Sequence, residues 1–223
     1  MREKCNMVYP FFKRIMDLEL VFLIIAMVIV ITIHEFSHAW VANYLGDPTA
    51  KMAGRVTLNP LKHLDVVGTI MLFLIHIGWG KPVPVNPHNF KNPKRDNALT
   101  ALAGPMSNLV LALILALPLK YFSAYMPLRI NLLLATVLDV SILLFAFNML
   151  PLPPLDGSKI VGMFIPRKYE LAYGRYLQSG VTYFVLFLLF DQFVISRAFG
   201  FSVLSQFMGL IYTFIKSVIF LGT

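Results

Sequence analysis

The strongest constraint in this chain is an apolar run, LVFLIIAMVIVITI at residues 20–33, that carries no charge and then meets His34, Glu35 and His38 within five residues. Such a run, continued through the motif, reads as a helix in a bilayer, where about 20 apolar residues cross the hydrocarbon core. Ionisable groups in lipid typically cost a few kcal/mol each, so three of them so close together call for a common partner. Residues four apart share one face of a helix. His34 and His38 would then present two imidazoles to one ion with Glu35 one position round, the HExxH pattern in which zinc is held by the histidines and the glutamate serves a water. The plainer alternative, polar residues packing against a neighbouring helix, leaves these groups without that partner.

Composition agrees with a bilayer as the main solvent. The chain is 58% hydrophobic and only 13% charged, against about a quarter charged in an ordinary soluble domain. The apolar run continues through HEFSH to Trp40, Val41 and Tyr44 with no A-x-A-like cleavage site, so it is expected to stay in the mature protein. A single cysteine, Cys5, excludes an internal disulfide framework and a cysteine-based zinc cage. The net charge of +8 comes from Lys and Arg spread through the polar connections, which fits positive-inside bias better than nucleic-acid binding.

The hydropathy pattern predicts spans at about 18–45, 97–119, 130–150, 179–195 and 199–221. The run from Val66 to Trp79 is short enough for a re-entrant or interfacial segment. The expected fold is therefore an all-α membrane protein, a polytopic bundle of five or six transmembrane helices with a short re-entrant or extended segment near residues 66–90. If the connection after the first span is cytoplasmic, twelve basic residues fall inside and seven outside. Helix rise then puts His34 and His38 about 12 to 18 Å from the helix end expected at Gly46, buried but toward the cytoplasmic side.

Two histidines need a third protein ligand, with a fourth position left for water. Asp156 is the best candidate, in NMLPLPPLDG at residues 148–157. Pro151, Pro153 and Pro154 forbid regular helix there, and irregular backbone at membrane depth is tolerated where it lines a cavity. The same residues also read as a turn leaving the membrane with Asp156 at its tip. Asp47 and Asp65, with His63 nearby, rank lower because they sit on what reads as a polar surface loop.

HEFSH on a membrane helix followed by Leu155-Asp156-Gly157 resembles the site-2 protease family of intramembrane zinc metalloproteases. The resemblance extends through AGPMSN at 103–108 and GWGKPVPVNP at 78–87, which is similar to the small prokaryotic members, and covers most of residues 20–162. It implies that His34, His38 and Asp156 bind Zn2+, that Glu35 is the general base, and that Asn148 assists at the active site. It also implies an integral protein of a prokaryotic cell membrane. The family's larger members carry inserted PDZ or CBS domains, for which this chain has no room. The expected organisation is one membrane domain over 1–223, with a catalytic core at 18–162 and accessory transmembrane helices at 163–223.

The chemistry expected of such a site is hydrolysis of a peptide bond in a transmembrane protein or peptide, with Glu35 accepting the proton of a zinc-acidified water and passing it to the departing amine. Asn148 could donate to the carbonyl oxygen as charge develops, or simply cap its helix. A substrate helix must unwind first, and the KPVPVNP segment, with Val83 and Val85 between prolines, offers an extended edge for strand addition as well as a plain Pro-rich connection. AGPMSN reads mainly as packing: Ala103, Gly104 and Ser107 let helices approach and Asn108 can bond across the contact. Asp139 is an intramembrane carboxylate facing the cavity or an unidentified partner. His63, His76 and His88 read as structural. A haem protein is disfavoured because histidines one turn apart cannot take opposite axial positions. A transporter or channel, or an inactive family member serving as a binding scaffold, are the alternative functions.

Overall fold

The computed structural model describes the backbone of residues 2–75 and 79–220, and side chains at 18–70 and 79–220. Helix α1 (Arg2–Tyr44) carries the first span, and Gly46, at φ +108°, sits in the left-handed region that ends it two residues later. The short helix α2 (Thr49–Met52) and α3 (Val66–Ile75) follow, then an extended segment leading to α4 (Pro93–Tyr121) and α5 (Leu128–Asn148). Beyond the proline turn come α6 (Asp156–Gly162), α7 (Glu170–Gln178) and α8 (Gly180–Phe190). A π-helical turn at Asp191–Ile195 joins α8 to α9 (Ser196–Phe199), and α10 (Val203–Phe220) completes the order.

Five helical stretches are long and apolar enough to cross a bilayer: Leu18–Tyr44, Pro93–Tyr121, Leu128–Asn148, Gly180–Phe199 and Val203–Phe220. The protein is an all-α polytopic membrane protein, as the sequence pattern predicts, and among the described residues the only strand-like pairing is the bridge between Leu64 and Gly80. The doubtful sixth segment contains α3, whose ten residues rise about 15 Å, half of the ~30 Å hydrocarbon core. His76 lies outside the described residues.

The core is a three-helix arrangement of α1, α4 and α5, with α6 docked on α4. Ala26 and Val30 of α1 meet Val137 and Val140 of α5, while Ala112 and Ala116 of α4 meet Leu138 and Ile142 of α5. Alanines at these crossings let the helices approach, which is how membrane helices gain dispersion when lipid is as apolar as they are. The later helices are thinner cover. In α10, Phe207, Leu210, Phe214 and Val218 face outward, as expected of residues in lipid.

Lys216 lies inside α10, within the last predicted span, and Asp139 of α5, unassigned from sequence, is its partner. Asp139 Oδ1 accepts from Lys216 Nζ at 2.9 Å and from the Tyr212 hydroxyl at 2.8 Å. A charge in lipid must be paired, so this bond pins the last helix to the core. At the other end of the sheath, Asp191 in the π-helical turn accepts from Ser202 Oγ at 2.6 Å and Val203 N–H at 2.7 Å, capping α10.

Ala112 is fully buried at the α4–α5 crossing, whereas its neighbour Leu113 is 47% exposed toward lipid. Ala112→Leu is expected to cost about 1–3 kcal/mol by overpacking and to lower the thermal midpoint in detergent, while Leu113→Ala changes it little. Equal midpoints for the two variants would mean that this crossing is not tightly packed.

Candidate active site

HEFSH sits on α1 with His34, Glu35 and His38 all within the first span. After α5 ends, the proline run turns the chain back so that Asp156, first residue of α6, enters the core. Gly157 makes that return possible: a Cβ there would stand 2.3 Å from the Leu150 carbonyl oxygen and 2.5 Å from that of Met149. The bend thus brings Asp156 back to α1, and the alternative of a turn leaving the membrane with Asp156 at its tip is not what the chain adopts.

The three donor groups converge. His34 Nε2 and His38 Nε2 are 3.0 Å apart, and Asp156 Oδ2 lies 3.2 Å from the first and 3.1 Å from the second. All three residues are buried, at 6%, 8% and 6% exposure, so no bulk water screens them. Asp65 and His63 take no part, and neither does Asp47. Lys159 Nζ approaches the other oxygen of Asp156 at 3.4 Å, one turn along α6.

Helix α4 orients both rings. His38 Nδ1 lies 2.7 Å from the Thr100 carbonyl oxygen, which can only accept, so the proton sits on Nδ1 and the Nε2 lone pair faces the cluster. His34 Nδ1 lies 3.0 Å from the Asn108 side-chain amide. Asn108 Oδ1 is buried without a hydrogen-bond partner among the described residues, and a half-turn of the amide would let it accept from His34 Nδ1–H and give His34 the same tautomer. Gly104 is the reason α4 can come so near. A Cβ at that position would fall 2.4 Å from His38 Nε2 and 2.7 Å from His34 Cε1. AGPMSN is therefore more than packing: its glycine admits the imidazoles and its asparagine contacts one of them.

Lone pairs on two imidazole nitrogens and a carboxylate oxygen, facing one another across about 3 Å inside a protein, repel unless a cation lies among them. Two neutral nitrogens and one anionic oxygen with a further position open match the donor set of a catalytic zinc. The cluster opens into a cleft of about 410 Å³ lined by Glu35, Val83, Val85, Thr100, Asn148 and Lys159 among others. Asn148 Nδ2 donates to the Leu144 carbonyl at 3.0 Å, the helix-end bond expected of a cap, yet the residue also lines this cleft.

The connection after α1 is largely exposed, as its composition suggests, but a few of its polar residues are not. Asp47 is fully buried. Its Oδ1 accepts from Thr49 N–H at 3.0 Å and Asn89 Nδ2 at 2.7 Å, and its Oδ2 accepts from Asn86 N–H at 2.7 Å. His63 is also buried, its Nε2 2.7 Å from the Thr57 carbonyl oxygen, while His88 is exposed. Sequence reasoning missed Asp47 and Arg55 because short polar stretches with Gly, Thr and Lys look like any exposed connection.

This arrangement defines a polytopic membrane protein with a buried His–His–Asp cluster and an adjacent glutamate at the floor of a cleft. Residues 22–129, which include HEFSH and AGPMSN but not Asp156, match the model of peptidase family M50. The chain is 43% identical over 153 residues to the protein named "Putative zinc metalloprotease YwhC" of Bacillus subtilis (strain 168), covering 65% of this chain and 69% of that one. It is 33% identical over 131 residues to "Putative zinc metalloprotease Rip2" of Mycobacterium tuberculosis, and 35% identical over 133 residues to the Rip2 of Mycolicibacterium smegmatis. Each of these two alignments covers 56% of this chain and half of the relative. No solved structure matches the chain at a significant level. The chain belongs to peptidase family M50, the site-2 protease family.

Burial raises the pKa of Asp47, but hydrogen bonds from the Thr49 and Asn89 side chains and from the Asn86 and Thr49 amides more than offset it and hold the carboxyl below its usual range. A carboxyl depressed in the folded state binds fewer protons than in the unfolded chain, so its stabilisation is full above the unfolded pKa of about 4 and is lost as pH falls through the lower folded value. Wild-type protein in detergent is expected to lose thermal stability on acidification below about pH 4 more steeply than Asp47→Asn does. Parallel curves of midpoint against pH for the two proteins would remove Asp47 from this role.

Proposed function

We propose that this protein is an intramembrane zinc metalloprotease that hydrolyses peptide bonds of transmembrane substrates, with His34, His38 and Asp156 as metal ligands, Glu35 as general base and Asn148 as an assisting donor. The observation that carries the reading is the approach of His34 Nε2, His38 Nε2 and Asp156 Oδ2 to within 3.2 Å of one another beside Glu35. Membership of a metallopeptidase family and zinc-protease names among its relatives support it. An inactive scaffold or a transporter would have no use for a carboxylate poised beside a complete donor set.

Zinc held by these residues would supply Lewis acidity, acidifying water and polarising a carbonyl oxygen. The rest is work for the chain. Glu35 Oε2 accepts the Val83 N–H at 3.1 Å, and Oε1 has no hydrogen-bond partner among the described residues. Oε1 is thus the oxygen free to take a proton from water and return it to the leaving amine. Asn148 has a second amide hydrogen beyond the one bonded to Leu144, available to an oxyanion.

The substrate must arrive unwound, because a helix keeps its carbonyls bonded. Val83 and Val85 line the cleft, and the Val83 carbonyl and both backbone groups of Val85 have no partner among the described residues. This segment is the place for an unwound substrate to add as a strand.

The functional unit in this reading is one membrane domain, with a catalytic core over residues 18–162 and accessory helices over 163–223. The cleft then faces the cytoplasmic side of a prokaryotic cell membrane. Basic residues support that orientation: with Arg55 and Lys216 set aside as internally engaged, the inside connections still outnumber the outside ones by ten to seven.

Purified protein is expected to carry one zinc per chain, lost in His34→Ala and His38→Ala and weakened in Asp156→Ala, while Asp65→Ala keeps it. Glu35→Gln should retain zinc and lose cleavage. Asp156→Glu, one methylene longer, should misplace the metal and keep at most weak activity. Metal analysis with zinc K-edge absorption decides the ligands: folded protein that binds no zinc in excess metal would sink the proposal. An unchanged zinc shell and affinity in Asp156→Ala would reassign the third ligand.

A further inference from the structure

Arg55 follows α2 in a connection that should be wet, yet it is only 5% exposed. Removing a guanidinium from water costs several kcal/mol even after relaxation, so its burial needs specific partners. Those partners are all near the proposed base. Nη1 donates to the Pro82 carbonyl at 3.0 Å and Nη2 to the Lys81 carbonyl at 2.5 Å, while Nη2 also lies 4.0 Å from Glu35 Oε2. That same oxygen accepts the Val83 N–H at 3.1 Å. One planar cation thus ties two successive carbonyls of the extended segment, and the next residue's amide is tied to the carboxylate beside it.

The far end of the segment is held independently by Asp47, through Asn86 and Asn89. Between the two anchors the carbonyls of Val83 and Pro84 and both backbone groups of Val85 have no partner among the described residues, and the Val83 and Val85 groups belong to residues that line the cleft. Lysine could supply the charge of Arg55, but not a fork that reaches two carbonyls at once.

The geometry points to Arg55 as a positioning residue for the hydrolysis proposed above, on which this inference rests: its guanidinium locks the substrate-pairing segment and the Glu35 carboxylate in a single register. Engaging the Lys81 and Pro82 carbonyls removes them as competing acceptors, so an incoming strand finds Val83 and Val85. Fixing Glu35 Oε2 from two sides leaves Oε1 for the water. Substrate register and base position are then set by one side chain, which itself touches neither the scissile bond nor the metal ligands.

The test uses the full chain, zinc-loaded in detergent, with fluorescein-labelled casein as an already unfolded probe. Arg55→Ala should keep its zinc, lower kcat by about ten- to a hundredfold and raise KM severalfold, the scale expected when a catalytic group moves by about 1 Å. Arg55→Lys should recover kcat more than KM, because charge returns without the fork. Free guanidinium ion at low millimolar concentration should restore part of kcat in Arg55→Ala. Independently of activity, hydrogen exchange across residues 80–87 should rise about tenfold in both variants, with α1 unchanged. Wild-type kinetics and exchange in a folded Arg55→Ala would overturn the assignment, as would equal loss of zinc and thermal stability in both variants without guanidinium rescue. Glu35→Gln, measured alongside, separates the two claims: casein cleavage that survives in it removes the protease reading and this role together, whereas its loss with normal Arg55 variants removes this role alone.

Discussion

Everything in the centre of this protein depends on a carboxylate meeting two imidazoles away from water. Asp156 is 118 residues from His38 in the chain, and an uncompensated charge at that depth would be strongly destabilising. The surrounding structure consists of what that meeting requires. Three prolines and a glycine reverse the chain after α5, a second glycine removes the side chain that would collide with the rings, and the Thr100 carbonyl fixes one tautomer. A cation accepted by these donors would convert the most costly spot in the fold into its most strongly bonded one. The core residues of α1, α4 and α5 then serve as a rigid frame, because ligand atoms held on helices move less than ligand atoms held on loops.

What could be read from the chain followed the range of the interactions involved. HEFSH declares itself because its spacing is that of one helical turn, and the spans declare themselves because lipid demands long apolar runs. Asp156 needed a bend that prolines permit but do not aim, and its place became visible only with Gly157 packed against the end of α5. Asp139 stayed unassigned because its partners lie 73 and 77 residues away on α10. Arg55 and Asp47 were invisible for the opposite reason: their neighbours in sequence are polar and ordinary, and only the folded backbone shows that both are buried against the same segment. AGPMSN was half legible, its small residues suggesting close approach and its asparagine giving no sign of which ring it would touch.

The contrast between α1, α4 and α5 and the later helices has a physical meaning for a membrane protein. The core helices bury alanines and pack closely, whereas α8 and α10 present most of their side chains to lipid and are fastened at a few polar points. The Asp139–Lys216 pair and the Asp191 cap are such points. Polar fasteners in lipid are strong against separation because each broken bond exposes an unpaired group, while they allow tilting about the attachment. In the proposed function, a sheath built this way would let a helical substrate approach laterally without disturbing the donor cluster.

The extended segment at 81–86 joins these ideas. Its backbone is bonded to Arg55, Glu35 and Asp47, so its position is coupled directly to the proposed base. A substrate strand pairing with Val83 and Val85 would press on the same backbone that holds Glu35 Oε2, and binding would tighten the base rather than merely adjoin it. In the proposed hydrolysis, coupling the base to the pairing edge would fix Glu35 Oε1 relative to a peptide held in register. Under the proposed function, recognition through backbone hydrogen bonds would read no side chain and so would suit substrates of varied sequence.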